Sequence, residues 1–194
     1  ERTANLTISS DDPKNPSTKI SVSGVGKSAG MTLSATSLDM GGVDVGSTST
    51  KTFTLSNTGN KALTVTSIAS GNTEFTVQPS SGTVAAGSTL TVTVTFSPTS
   101  RGDKTTTITV KGDDPANGTA NVTVTGTGRA PEMKVSSTTL SFGDVDVKQT
   151  SQKTFTISNT GNKALTVNGI QAGGMFTVTP TTASVAFGGS QTVT

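Results

Sequence analysis

Apolar and polar residues alternate along most of this chain with a period of two. Apolar side chains occupy every second position from Leu90 to Phe96, and the alternation returns at Ile108 and Val110 and again around Val122. Successive side chains of a β-strand point to opposite faces, so each run predicts a strand with an apolar inner face and a Thr-rich wet face. No window shows the 3.6-residue period of a helix. The pattern therefore predicts an all-β protein.

A long internal repeat organises these strands. The segment Lys51–Val65 recurs with one change, Leu to Ile, 102 residues later as Lys153–Val167. The triplet Asp11-Asp12-Pro13 recurs at the same offset at position 113. A fixed period of this size indicates tandem copies of one structural unit.

The repeat divides the chain into three parts. Residues 31–132 form one complete unit, residues 1–30 match its last strands (103–132), and residues 133–194 match its first part. A unit of about 100 residues, with some seven short strands and turn signals every 8 to 12 residues, predicts an immunoglobulin-like β-sandwich. The fold class is therefore all-β, as tandem immunoglobulin-like sandwiches of antiparallel strands.

Four motifs carry a resemblance to a known family. They are Leu140–Val147, Phe155–Gly161, Phe96-Ser-Pro98 with Gly102 after it, and Ile8–Pro13. They resemble the ASH (abnormal-spindle and hydin-type) domain and the tandem Ig-like repeats of bacterial "choice-of-anchor D" surface proteins. More distantly, they resemble the major sperm protein and periplasmic pilus-chaperone sandwiches. The resemblance implies a non-catalytic scaffolding or binding role, and it implies no particular ligand.

Composition narrows the chemistry further. The chain has no His, Cys, Trp or Tyr, which excludes imidazole bases, thiolate nucleophiles and Cys/His metal sites. Its 12 acidic residues are scattered among 194, so a catalytic carboxylate pair has few places to form. We expect a protein that is not an enzyme, with no cofactor and no metal site.

Charge and hydropathy bear on partners. The net charge is +2, and the 14 basic residues are dispersed singly, which predicts no nucleic-acid partner. No stretch approaches the roughly 18 apolar residues of a membrane span, so no direct membrane insertion is expected. The expected partners are neighbouring repeats or other copies of the chain, with a cell-surface protein or glycan as a further possibility.

Two motifs have both a functional and a structural interpretation. The run Gly24–Gly30 superficially resembles a phosphate loop, but the required first Gly is replaced by Ser21 and a strand follows, which favours a flexible junction between units. The doublets Asp11-Asp12 and Asp113-Asp114 fit tight turns before Pro, with a calcium site as the less favoured alternative.

Two further motifs fall between strands. Arg101, Gly102 and Asp103 form the cell-adhesion tripeptide on an expected exposed turn, and they are the weak adhesion candidate of the chain. The repeated Asn-Thr-Gly-Asn at 57–60 and 159–162 predicts turns that close a hairpin, because Asn and Gly tolerate positive φ.

The function hypotheses follow from the repeat. Residues 133–194 lack the last strands of a sandwich, so something must complete them. A long covalent array forming a bacterial cell-surface or extracellular stalk or fibre is favoured over a filament subunit completed by strand exchange between copies. The third hypothesis is an intracellular ASH-type protein-binding module of cilia or centrosomes. Since the chain starts at Glu1 without an initiator Met, we interpret it as a piece of something longer.

Overall fold

The computed structural model describes all residues, 1–194, and every regular element in it is a strand. The strands are β1 (Arg2–Ser9), β2 (Ser17–Gly24), β3 (Met31–Leu33), β4 (Ser37–Asp44), β5 (Ser49–Asn57), β6 (Leu63–Ser70), β7 (Phe75–Gln78), β8 (Gly82–Val84), β9 (Thr89–Phe96), β10 (Gly102–Gly112), β11 (Thr119–Arg129), β12 (Met133–Val135), β13 (Phe155–Asn159), β14 (Leu165–Val167), β15 (Ala183–Val185) and β16 (Ser190–Val193).

The complete unit is a two-layer sandwich. One sheet has the strand order β4-β11-β10-β6-β8 and the other β3-β5-β9-β7. The alternate apolar residues of both sheets meet in one core cluster of 18 buried side chains. At its centre the rings of Phe75 and Phe96 stack with centroids 4.4 Å apart. The predicted immunoglobulin-like sandwich is confirmed.

Two details of the complete unit differ from the expectation. It contains nine strands instead of about seven, because several of them are only three or four residues long. Strand β4 pairs with β11 in parallel, whereas every other pair in the structure is antiparallel. Consecutive strands can form antiparallel hairpins, but β4 and β11 come from opposite ends of the unit, which the alternation pattern does not reveal.

The N-terminal segment forms a hairpin that packs on nothing else. Strands β1 and β2 pair along their whole length, from Arg2 opposite Gly24 to Ser9 opposite Ser17, as a separate two-stranded sheet. The apolar residues on the face that corresponds to the core side of the complete unit are exposed, Leu6 by 56% and Ile20 by 46%. Their counterparts in the complete unit are fully buried.

The C-terminal segment is a partial sandwich. Its strands form a sheet of order β12-β13-β16 and a separate pair, β14-β15, around a core of three buried residues, Ile157, Val167 and Val193. Residues 139–146 are the counterpart of β4 but form no strand. The cause is the missing partner, since β4 is held by β11 and residues 133–194 contain no counterpart of β11.

Candidate functional site: the junction between repeat units

The two Asn-Thr-Gly-Asn segments lie where one unit meets the chain that precedes it. Each follows a strand of one sheet and precedes a strand of the other: β5 belongs to the four-stranded sheet and β6 to the five-stranded sheet. The prediction of a hairpin turn was therefore wrong, and the segment is a crossover between the layers. Turn chemistry alone does not specify which sheet the next strand joins.

Asn57, the first residue of the segment, uses its whole amide inside the protein. Its Oδ1 accepts hydrogen bonds from the N–H groups of Gly30 and Gly59, at 3.1 and 3.0 Å. Its Nδ2 donates to the carbonyls of Lys61 and Val84, at 2.8 and 2.9 Å. Asn57 is only 1% exposed, so these four bonds satisfy a buried polar group and fix the crossover.

Asn60, the last residue of the segment, binds the linker ahead of its own unit. Its Oδ1 accepts from the Ser28 N–H at 2.9 Å, and its Nδ2 donates to the Gly26 carbonyl at 3.0 Å. The Ser28 carbonyl in turn accepts from the backbone N–H groups of Asn60 and Lys61. Hydrogen bonds therefore hold the Gly-rich linker between Gly26 and Gly30. Flexibility of the junction as a whole stays a prediction.

The central Gly of each segment is required by close approach of the linker. A Cβ on Gly59 would overlap the Ser28 carbonyl oxygen and the Ala29 and Gly30 backbone. A Cβ on Gly161 would overlap the Ala130 carbonyl oxygen in the same way. Only a residue without a side chain lets the crossover and the linker touch at these points.

The second junction repeats the side-chain hydrogen bonds of the first. Asn162 accepts from the Ala130 N–H and donates to the Gly128 carbonyl, both at 2.9 Å. Asn159 accepts from the N–H groups of Glu132 and Gly161 and is 1% exposed. We call this arrangement of the two Asn residues and the central Gly (57, 59 and 60, or 159, 161 and 162) the linker clasp.

The second junction adds charge across the unit boundary. The Lys163 ammonium donates to the Asp44 carboxylate at 2.6 Å, and the Arg129 guanidinium lies 3.3 Å from its other oxygen. That other oxygen accepts no hydrogen bond of its own, so Arg129 acts on it by charge. The hydrogen bond from Lys163, reinforced by the positive charges of Lys163 and Arg129, lowers the pKa of the Asp44 carboxyl below its ordinary value.

Lys61 is the counterpart of Lys163 at the first junction, and it forms no ion pair. The reason is that residues 1–30 correspond to 103–132 and contain no counterpart of Asp44.

The adhesion candidate Arg101, Gly102 and Asp103 also lies at the second junction. The Arg101 guanidinium pairs with the Glu132 carboxylate at 2.7 Å and donates to the Thr160 carbonyl. Asp103 accepts from the Thr127 hydroxyl at 2.7 Å. Gly102 has φ of 105°, a conformation that favours glycine. The expected turn covers only Arg101 of the three residues, because Gly102 and Asp103 are the first residues of β10 and pair with β11. The structure gives the Arg and Asp side chains partners within the chain, and receptor binding through them stays a prediction.

The Asp doublet of the complete unit serves the backbone. Asp113 accepts from the Thr64 N–H, and Asp114 accepts from the N–H groups of Met31 and Ala116, at 2.7 and 2.8 Å. The hydrogen bond from Met31, with that from Ala116, lowers the pKa of the Asp114 carboxyl. The doublet therefore joins the β10–β11 turn to the first strand of its unit, which favours the turn interpretation over calcium.

The structure also bears on the less favoured interpretations of the sequence motifs. No group of three or more acidic residues converges as a metal site would require. Residues 25–30, which resemble a phosphate loop, lead into β3 and not into a helix. The structure also has no helix of the length and apolarity that crossing a membrane requires.

A protein-family model for HYDIN/CFA65/VesB-like Ig-like domains matches residues 29–127 and again residues 131–194. The chain belongs to this family. The match confirms the predicted ASH-type, Ig-like domain, and the two matched segments meet at the linker of the second junction.

The solved structures that this chain resembles are distant in sequence. The ASH/PapD-like domain 7 of human CEP192 is 20% identical, with 56% of this chain and 96% of that chain covered at a TM-score of 0.47. A Porphyromonas gingivalis W83 protein of unknown function is 19% identical, with 65% and 64% covered at 0.48. The Escherichia coli chaperone DraB is 12% identical, with 85% and 86% covered at 0.42. A search of the curated proteins found no match.

Proposed function

We propose that this chain is a non-enzymatic structural segment of a bacterial cell-surface or extracellular stalk or fibre, in which Ig-like units follow one another in a fixed orientation. The observation that carries the proposal is the linker clasp, which is built with the same residues at both junctions. A chain of independent binding modules needs no such clasp, whereas a load-bearing array gains from it because each linker becomes part of the next unit.

Composition supports the location outside the cell. The chain has no Cys, its aromatic content is 4%, and its strands carry Thr on their wet faces. The partners in this proposal are neighbouring repeats in the same array. Adhesion through Arg101 is left out, because its guanidinium is engaged by Glu132 and Thr160.

The experiment is to locate the native protein in the organism that carries this sequence. An antibody raised against residues 31–132 should label intact cells, and brief treatment of those cells with an external protease should remove the label. Its intact mass under denaturing conditions should be several times 19.4 kDa. Labelling that appears only after lysis would contradict the proposal and favour an intracellular ASH-type module.

A further inference from the structure

One strand pair of the complete unit lies between the two points at which the chain enters and leaves it. Strand β4 follows the first linker and the short strand β3, and β11 leads directly into the second linker. The two strands pair in parallel, from Ser37 opposite Thr123 to Asp44 opposite Arg129. Both strands therefore begin at one pole of the unit and end at the other.

Tension along the chain loads this pair in shear. A pull on the two ends of the unit draws β4 toward its start and β11 toward its end. Because the strands are parallel, these two directions are opposite. The hydrogen bonds run across the strands, so such a pull strains all of them at once. A pull across the strands would instead break the bonds one after another from one end.

Strand β4 is held in the sheet by this pair alone. It is an edge strand, and its only partner is β11. On its other side, β11 pairs with β10 from Lys111 opposite Thr119 to Gly102 opposite Gly128. Strand β3 comes earlier along the chain, but it pairs with β5 over only three residues. Of the two ladders that hold the N-terminal strands, β4–β11 is therefore the longer.

Backbone hydrogen bonds close the β4–β11 ladder at both ends. At its start, the Thr123 N–H donates to the Thr36 carbonyl at 2.9 Å. At its end, the Val45 N–H donates to the Arg129 carbonyl at 2.9 Å. The Arg129 guanidinium also lies 3.3 Å from the Asp44 carboxylate across the last pair. The ladder is thus held at both of the ends from which it could begin to open.

A bulge in β4 fixes the register of the pair. Asp39 lies opposite Thr125 and Gly42 opposite Thr127, so β4 carries one extra residue between these positions. Within the bulge Gly41 has φ of 72°, and its N–H donates to the Asp39 carboxylate at 2.9 Å. A regular ladder can slip by two residues and form new hydrogen bonds, whereas a bulged strand fits its partner in one register.

The inner face of β4 opposes sliding as well. Met40 and Val43 are 4% and 6% exposed and belong to the core cluster of the unit. Movement of β4 along β11 would draw both side chains out of the core and lose their apolar burial.

We infer that the β4–β11 pair is a mechanical clamp, which keeps the unit folded under tension along the chain. The inference rests on the proposed function, because it names the contact that carries the load in such an array. It concerns residues 31–132 and holds for any covalent chain that continues from both of the linkers. The linkers transmit the load, and the clamp resists it.

Force applied in two directions tests the clamp. The chain has no Cys, so pairs of Cys variants can place the handles of a single-molecule force experiment. In Lys27→Cys/Lys134→Cys the handles flank the complete unit, and the load shears β4 against β11. In the control Lys27→Cys/Asn117→Cys, both handles lie at the pole where β4 and β11 begin, so the load separates the strands sideways. All three positions are exposed. The folded unit should last at least about tenfold longer at a fixed load in the shearing direction.

Val45→Pro removes one hydrogen bond of the clamp. Val45 and Gly46 are the central residues of a turn in which the Ser47 N–H donates to the Asp44 carbonyl, and Gly46 has φ of 83°. Proline is favoured at the first central position of such a turn, so the variant loses the N–H bonded to Arg129 without strain in the backbone. Its lifetime under shear should fall about tenfold, and its lifetime under the sideways load should change less than about twofold.

Val84→Ala separates the clamp from general stability. Val84 is 3% exposed in β8, at the opposite edge of the same sheet. The cavity should lower the midpoint of urea denaturation more than Val45→Pro does, and it should shorten the lifetime under shear less. Equal lifetimes in the two directions, or a greater loss of lifetime under shear in Val84→Ala than in Val45→Pro, would overturn the inference. Neither result would alter the surface labelling or the mass expected from the proposed function.

Discussion

The carboxylate of Asp44 accepts a hydrogen bond from the ammonium of Lys163 at 2.6 Å, although the two residues are 119 positions apart and belong to different units. The two side chains are 32% and 46% exposed, so solvent screens the pair and its contribution to folding stability is small. We expect its main effect to be on the orientation of the two units, because it joins the last residue of β4 to the unit that follows.

Lys163→Met should widen the distribution of angles between the complete unit and the C-terminal unit without lowering the melting temperature measurably. Spin labels on Thr91→Cys and Thr166→Cys, both exposed, would report the distance distribution by pulsed electron resonance. Lys153→Met is the matched control, because Lys153 is exposed and forms no ion pair. A distribution as narrow as that of the unmodified chain would show that the ion pair does not orient the units.

Gly161→Ala should release the second linker. The new Cβ would overlap the Ala130 carbonyl and the Glu132 N–H, so the crossover and the linker must separate. We expect faster proteolytic cleavage between positions 128 and 132, by about tenfold if separation costs about 1.4 kcal/mol. Gly169→Ala is the control, because a Cβ there meets no atom within 4 Å. Equal cleavage rates for the two variants would mean that close packing of the clasp does not protect the linker.

Asn57→Ala should lower the free energy of unfolding of the complete unit by about 3 kcal/mol, because it leaves two partly buried N–H groups and two carbonyls without partners. Asn60→Ala should cost much less, since its hydrogen bonds lie in an exposed setting. Urea denaturation of both variants would measure the difference. A loss of less than about 1 kcal/mol for Asn57→Ala would contradict the role of its amide.

Acid should weaken the fold through carboxyl groups that accept hydrogen bonds in the native state. The pKa values of Asp114 and Glu74 are lowered chiefly by hydrogen bonds from backbone N–H groups, so their stabilisation is present above the ordinary pKa of Asp and Glu. It is lost as pH falls through the lower, native-state pKa values. We expect the melting temperature to fall steadily below about pH 4, and Asp114→Ala to flatten that dependence. If the melting temperature of the variant depended on pH as steeply as that of the unmodified chain, Asp114 would not contribute to the acid sensitivity.

Local pattern was enough to predict the strands, their inward faces and the repeat. A sandwich buries one face of each strand, and successive side chains of a strand point to opposite faces. Apolar residues therefore alternate with Thr at Leu90, Val92 and Val94. The 102-residue period likewise reads directly from the sequence and implies the hairpin at residues 1–30 and the partial unit at 133–194. The strand faces and the repeat could be predicted because both depend only on the order of residues along the chain.

The tertiary structure decided which strands pair and which backbone groups the turn residues bind. Residues 37–44 and 139–146 carry similar patterns, yet only the first form a strand, because only they have β11 beside them. Asn60 and Asn162 have the composition of ordinary turn residues, and their role in binding the linker depends on a backbone more than 30 positions away. Sequence patterning determined the faces of the strands because that choice is local. The contacts at the junction could not be predicted from the sequence, because its hydrogen bonds and ion pairs join residues that only packing brings together.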